Sequence, residues 1–250
     1  MSTAKSYFDK HAEHPSYNSS PDFYIPIIEY LKEFKSDGKF TILDFGCGSG
    51  TFIKGMMESG IDADFYGSDV SLTMISLAKN NLKDQKIGLF VADGFMLPIN
   101  NETRFDLIHV DCVLHHIIGK TRRRSFNLAS KMISTLINLL SKNGILVVRE
   151  ITYESYLFKN LTSWLVFYGL KFLNFSKLNL NWLNKEIVTG LEVNFFYEKQ
   201  LEQMLNHYGN LHTIKNRSWK ASGLRRLFLL KKEGRVSYVV KPVPMNTRSK

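Results

Sequence analysis

The spacing of apolar residues changes several times along this chain, and each change marks an element. Residues 40–46 (FTILDFG), 63–69 (ADFYGSD), 87–93 (IGLFVAD), 105–110 (FDLIHV) and 144–151 (GILVVREI) are short apolar runs of strand length. Helical spacing fills the intervals. Residues 51–60 place Phe52, Ile53, Met56 and Met57 on one face and end at Gly60. Residues 71–82 begin at Ser71, whose hydroxyl suits a helix N-cap. Residues 121–142 carry Phe126, Ala129, Ile133, Leu136, Ile137 and Leu140 on one stripe and stop at Gly144. Strands alternating with helices at these lengths predict a parallel sheet covered on both faces. The alternation stops after residue 151. A helix over 198–209, strands over 211–219 and 224–232, and a turn at Glu233-Gly234 leading into RVSYVV then complete the pattern. A further helix is expected from Asp22 to Phe34.

The chain has 250 residues, 44% hydrophobic and 22% charged, which suits one large soluble domain with a substantial core. Its two cysteines, Cys47 and Cys112, give no disulfide framework and no paired-cysteine zinc motif, so no metal site is expected. The polar start lacks the apolar core of a signal peptide, and a cytoplasmic location is expected. Residues 199–250 hold twelve Lys/Arg against two Glu, which accounts for the whole net charge of +10. Because these charges are scattered over several elements, they read as a lysine-protected sheet edge and a basic tail rather than a binding stripe.

The chemistry is concentrated in ILDFGCGSG, residues 42–50, where a strand ends in Asp44 and glycines follow at 46, 48 and 50. A nucleotide phosphate loop would need a lysine and Ser/Thr after its last glycine, but Thr51 and Phe52 stand there. A dinucleotide turn would be spaced G-x-G-x-x-G, and Asp44 would repel its pyrophosphate. The same carboxylate suits a cationic ligand without phosphate.

On these residues the chain resembles the class I S-adenosylmethionine-dependent methyltransferases, small-molecule type. The likeness runs from about residue 40 to 150 and resumes at 198–232. It implies a doubly wound, Rossmann-like α/β fold: a mostly parallel seven-stranded sheet with helices on both faces and a helical, aromatic-rich insert. The implied segments are 1–38 as an N-terminal helical lid, 39–151 as the cofactor core, 152–196 as an acceptor cap, and 197–250 as the rest of the sheet with its tail. It also implies S-adenosyl-L-methionine as cofactor and S-adenosyl-L-homocysteine as product. Asp44, Gly46, Cys47, Gly48 and Gly50 would hold it at the turn. Asp69, with Val70, ends the second strand and would receive the ribose hydroxyls. Asp93 and Gly94, after the third, would meet the adenine.

Asp111, Cys112, His115 and His116 follow the fourth strand, where the methyl group would lie. Methyl transfer is an in-line displacement that needs alignment first, and a base only when the acceptor must lose a proton. His115, His116 and Asp111 are the catalytic candidates, with Asp111 also beside the cofactor. His109, inside the apolar strand, reads as a hydrogen-bonded core residue. Glu150 could orient the acceptor or pair with Arg149. The surroundings of Cys112 resemble neither pyrimidine nor exocyclic-amine methylation motifs, which argues against a nucleic-acid acceptor.

Residues 152–196 hold eleven aromatics. An acceptor lid ranks first for them, a homodimer contact second and a membrane-surface contact third. Lys159 and Lys171 bracket too short a run to span a bilayer. The expected enzyme methylates a small, largely apolar acceptor, near His115, His116, Asp111, Glu150 and Tyr153. An enzyme acting on RNA or a membrane lipid, and a non-catalytic cofactor-fold protein, are the alternatives. The aromatic N-terminal stretch around Tyr7 and Phe8 would close over the cofactor.

Overall fold

A computed structural model describes residues 3–11, 24–33, 39–83, 86–100, 102–176, 190–222, 226 and 229–243. Two helices, α1 (Thr3–His11) and α2 (Ile25–Glu33), precede the first strand. The alternating core then runs β1 (Phe40–Phe45), α3 (Thr51–Glu58), β2 (Ala63–Asp69), α4 (Leu72–Asn81), β3 (Gly88–Val91), β4 (Phe105–Asp111), a 3-10 turn (Leu114–His116), α5 (Arg122–Asn138) and β5 (Leu140–Ser155). It is completed by α6 (Leu161–Ser176), α7 (Glu198–Asn206), β6 (Gly209–Lys220) and β7 (Leu230–Pro242).

The seven strands are ordered β3-β2-β1-β4-β5-β7-β6. The first five are parallel, and β7 runs antiparallel between β5 and β6. Strand order reverses between β1 and β4, which leaves a crevice beyond their carboxyl ends. Side chains alternate across the strands, so two cores form. Leu43, Phe45, Ile108, Val110 and Val148 pack with α5 and α7 on one face. Ile42, Leu107, Ile145 and Val147 pack with α2 and α3 on the other.

Three boundaries differ from those the sequence predicts. The helix expected over 121–142 ends at Asn138, and β5 starts at Leu140, because Leu140 pairs with Phe105 at the start of β4. Gly144 is no helix stop: a side chain there would meet the Phe105 carbonyl oxygen at 2.5 Å, so it permits close strand approach. The turn expected at Glu233-Gly234 is the interior of β7, where Gly234 sits between Thr152 and Ser218. A Cβ at 234 would lie 2.7 Å from Thr152 Oγ1. The strands expected at 224–232 and 235–240 therefore become one strand from Leu230, with 224, 225, 227 and 228 outside the described residues. Likewise β5 carries on through Thr152 to Ser155, so the helical insert begins later than residue 152.

Phe105 is fully buried and meets Tyr66 edge-on at 5.5 Å. Phe105→Ala should lower unfolding free energy by about 3–5 kcal/mol through lost contacts and a residual cavity. Urea unfolding followed by circular dichroism measures it.

Candidate active site

β1 carries the chain into the glycine turn. Gly46, Gly48 and Gly50 all take positive φ, at 75°, 50° and 79°. Side chains at 46 and 50 would strike Val113 and Leu82, at 2.3 and 2.7 Å. Gly48 differs, because a Cβ there would find no atom within 4 Å. The turn is thus packed at both ends and open at its middle.

Asp69, at the end of β2, clamps this turn. Its Oδ2 accepts from Gly48 N–H at 3.0 Å and its Oδ1 from Ser71 N–H at 2.9 Å. Burial raises its proton affinity above the ordinary value, against the pull of the Ser71 and Gly48 amides. Ser71 caps α4 by accepting from Met74 N–H, as its position predicts. Its hydroxyl also donates to Asp9 Oδ1 at 2.6 Å. Thr73 Oγ1 donates to the Asp9 carbonyl at 3.3 Å, and Phe8 meets the His116 ring edge-on at 5.2 Å. Helix α1, which the hydrophobic pattern does not reveal, therefore links the exits of β2 and β4. Val70 is half-buried between Asp69 and Ser71. Cys47 is buried, and burial, then Asp44 and Asp69, push its thiol well up.

Asp44 and Asp93 lie differently from the expected contacts. Asp44 is 2% exposed and its Oδ1 lies 2.7 Å from His109 Nδ1, under a Phe52 ring stacked on the imidazole at 3.7 Å. It is a buried partner of His109, whose expected core role holds. Asp93 is exposed and accepts from Phe95 N–H at 3.2 Å. A side chain at Gly94 would strike Phe45 and Met132, at 2.3 and 2.7 Å. The missing side chain lets Phe45 and Met132 pack against the exit of β3.

Beyond β4, two pairs form on opposite faces. Asp111 stands directly across from Arg149, whose Nε donates to Oδ1 at 2.6 Å and whose Nη2 binds Oδ2. Burial alone would raise Asp111, but the Arg149 hydrogen bonds and charge outweigh it and hold the carboxyl below its usual range. Glu150 does not join Arg149, because neighbours on a strand point to opposite faces. It is fully buried and pairs with His115, Oε1 lying 2.5 Å from Nδ1, and Oε2 accepts from His115 N–H at 3.2 Å. In a neutral ring, a carboxylate so placed holds the proton on Nδ1 and leaves Nε2 as acceptor. Among the described residues nothing hydrogen-bonds to that nitrogen. The His115 ring stacks on Phe195 at 5.1 Å, and Phe195 meets Tyr153 at 4.2 Å.

His116 is half-buried and its Nδ1 has no partner among the described residues. Burial, then the neighbouring His115, depress its proton affinity well below the histidine norm. At Cys112 the backbone turns through φ 55°, and burial, then Asp111 and Glu150, push its thiol well up, which disfavours a thiolate nucleophile. Sequence reasoning misses Arg122, because it stands in a run of three arginines. Its Nε donates to Asn194 Oδ1 at 2.9 Å and its Nη2 to the Phe195 carbonyl at 3.1 Å. Asn194 N–H in turn donates to the His115 carbonyl at 2.8 Å.

Burial raises Asp44 against the pull of His109, with Asp111 adding to the rise, and burial raises Asp69, with Asp44 adding to it. With Asp44 paired to His109 and Asp111 to Arg149, Asp69 is the carboxylate of the three that lacks a cationic partner among the described residues, and it favours an ammonium or sulfonium over a phosphate. Residues 36–209, well over half the chain, match the methyltransferase-domain family. The chain belongs to that family. It is an S-adenosylmethionine-dependent methyltransferase of class I, and the open middle of its glycine turn and Asp69 beside it fit S-adenosyl-L-methionine as cofactor.

Solved structures share the methyltransferase fold at low identity. The plantazolicin methyltransferase BpumL, in complex with a pentazolic desmethylPZN analog and SAH, is 14% identical, with a TM-score of 0.55 over 96% of this chain and 90% of its own. The magnesium protoporphyrin IX methyltransferase ChlM from Synechocystis PCC 6803, with bound SAM, is 14% identical, with a TM-score of 0.54 over 95% of both chains. The N-methyltransferase NodS from Bradyrhizobium japonicum WM9, with SAH, is 12% identical, with a TM-score of 0.55 over 96% of this chain and 99% of its own. No curated protein matches the chain.

Two outcomes follow for the methyltransferase. Asp69→Ala should weaken S-adenosyl-L-homocysteine binding by about 1.5–3 kcal/mol, the worth of a charged hydrogen bond, in titration calorimetry. His116 binds its proton more weakly folded than unfolded, so its contribution is fully present above pH ~6.5 and is lost as pH falls below it. The melting temperature should fall between pH 7 and about pH 5.5, and fall less in His116→Gln.

Proposed function

We propose that the methyltransferase alkylates a small, largely apolar acceptor that gives up a proton, with His115 Nε2 as the base and Glu150 as its positioning residue. The observation that carries this is the buried His115–Glu150 pair beside the carboxyl ends of β4 and β5. The cofactor supplies a methyl group on a positive sulfur. The remaining work falls to the chain. Asp69 and the Gly48 turn hold the cofactor, with Asp44, Cys47 and Val70 around them and Asp93–Gly94 at the exit of β3. Asp111, neutralised by Arg149, shapes the field beside it without moving a proton.

The acceptor would enter against His115, Phe195 and Tyr153, whose rings form an apolar wall. His115 Nε2 would take the proton that the acceptor loses as it is methylated, and the Glu150 carboxylate would stabilise the imidazolium that results. Helix α1, tied to Ser71 and resting on His116, would exclude water from that step. Two structural neighbours are named for organic acceptors, plantazolicin and magnesium protoporphyrin IX, which supports a small-molecule acceptor.

Release of S-adenosyl-L-homocysteine, followed across a panel of apolar hydroxy, amino and activated-carbon compounds, tests this reading. With an accepted substrate, Glu150→Gln and His115→Asn should each lower kcat by about 10²-fold or more, leaving KM for the cofactor within about twofold. Wild-type turnover in either variant would remove His115 as the base.

A further inference from the structure

The aromatic segment after β5 is only partly used by the core. Helix α6 buries Thr162, Ser163, Phe167 and Leu170. Trp164, Phe172 and Phe175, at helical spacing on another face, remain 50%, 64% and 87% exposed. The loop before it holds Tyr156, Leu157 and Phe158 outward, at 54%, 69% and 76% exposure. This tip is built rather than slack. Tyr156 N–H donates to the Leu229 carbonyl at 3.0 Å, Thr162 N–H to Ser155 Oγ at 2.7 Å, and Leu161 N–H to the Phe158 carbonyl at 2.8 Å. Six large apolar side chains held out on one segment are more than scattered exposure, and water alone does not favour them.

Cations surround the tip. Lys159 and Lys231 flank it, and Arg226 is fixed beside it by donating to the Ala221 carbonyl at 2.9 Å. A cleft of about 180 Å³ opens next to it, lined by Lys159, Lys199 and Lys232 with Tyr153 and Tyr197. Its two acids are already engaged: Glu154 by Lys231 at 2.9 Å, and Glu198 by Asn216 Nδ2 at 2.7 Å. The three lysines have no acid partner among the described residues. Helix α6 itself contains no acid.

We infer that this end of the molecule is a docking surface for an anionic lipid bilayer. Leu157 and Phe158 insert among the acyl chains, the Trp164–Phe172–Phe175 stripe lies in the interface, and Lys159, Lys199 and Lys232 receive headgroup phosphates in the cleft. Apolar and aromatic residues bordered by lysines match both layers of such a surface. A second copy fits poorly, because a two-fold contact would bring the same cations face to face. No helix among the described residues is long and apolar enough to cross a membrane, so the contact is one of lying on the surface. β5 runs on from Glu150 to the tip, which puts the bilayer roughly 20 Å beyond the carboxyl ends of the sheet, at about 3.3 Å per residue. The site would then face a lipid phase from which an apolar acceptor can be drawn. The docking itself is independent of the methyl-transfer reading.

Cosedimentation of the full chain with phosphatidylcholine vesicles, with and without phosphatidylglycerol, tests it without any methyl acceptor. The protein should bind the phosphatidylglycerol vesicles, lose affinity as salt rises, and show a blue-shifted tryptophan emission when bound. Leu157→Ser with Phe158→Ser should cut that affinity about tenfold or more while the melting temperature holds, since both side chains are exposed in the free protein. Lys159→Glu with Lys232→Glu should do the same. Failure to bind phosphatidylglycerol vesicles at low salt would overturn the inference, as would equal binding by the Leu157/Phe158 variant. So would a dimer in light scattering that this variant dissolves while vesicle binding is unchanged.

Discussion

The site hangs on one buried pair, Asp44 and His109. They stand directly across from each other where β1 and β4 run side by side, 2% and 1% exposed. A lone carboxylate in that position would cost several kcal/mol, and removing either partner would strand the other. The pair therefore fixes the β1–β4 register: a slip of one residue would turn Asp44 into the opposite core, among Leu43, Phe45 and Ile108. Phe52 stacks on the imidazole from the first turn of α3, so the helix that follows the glycine turn is fastened to the same point. Both ends of the turn are thus held by buried contacts, and only Gly48 faces open space.

Strand alternation then divides the chemistry between two faces. Asp44, His109, Asp111 and Arg149 share the face of Ile42, Leu107 and Val147, and act on one another electrostatically. Glu150 shares the opposite face with Leu146 and Val148, and reaches His115 there. The residue pair Arg149-Glu150 thus serves two separate networks. One pairs Arg149 with Asp111, and the other pairs Glu150 with His115. A sheet two residues wide at its switch point can do both only because consecutive side chains diverge.

The strand–helix alternation, the seven-stranded class and the family were legible because they depend on local period and on a turn whose glycines leave few ligands open. The place of Asp69, at the end of a strand beside that turn, was legible for the same reason. What escaped was pairing. Nothing local in the sequence says that Asp111 meets Arg149 while Glu150 meets His115; the β4–β5 register decides it. Gly144 and Gly234 misled because a glycine reads equally as a stop and as a place where two strands come close, and only the neighbours, Phe105 and Thr152, tell which. Helix α1 escaped because its nine residues show mean polarity, and its docking rests on single polar bonds rather than on an apolar stripe.

Those bonds tie α1 to the end of β2 through a single residue. Ser71 does three things at once: its amide donates to Asp69, its hydroxyl accepts from Met74 N–H, and the same hydroxyl donates to Asp9. The docking of α1 is therefore coupled through one residue to the carboxylate that also clamps Gly48. An ionised carboxylate offers about four lone-pair directions, and the backbone amides of Gly48, Ser71 and Val70 do not fill them all. Hydroxyls arriving at Asp69 can take the others without releasing Gly48 or Ser71. They also relieve the penalty of burial that raises Asp69 here, because each added donor favours the charged form. A hydroxyl donor at Asp69 would thereby strengthen the acceptor that holds Gly48 and Ser71 and, through Ser71, the position of α1.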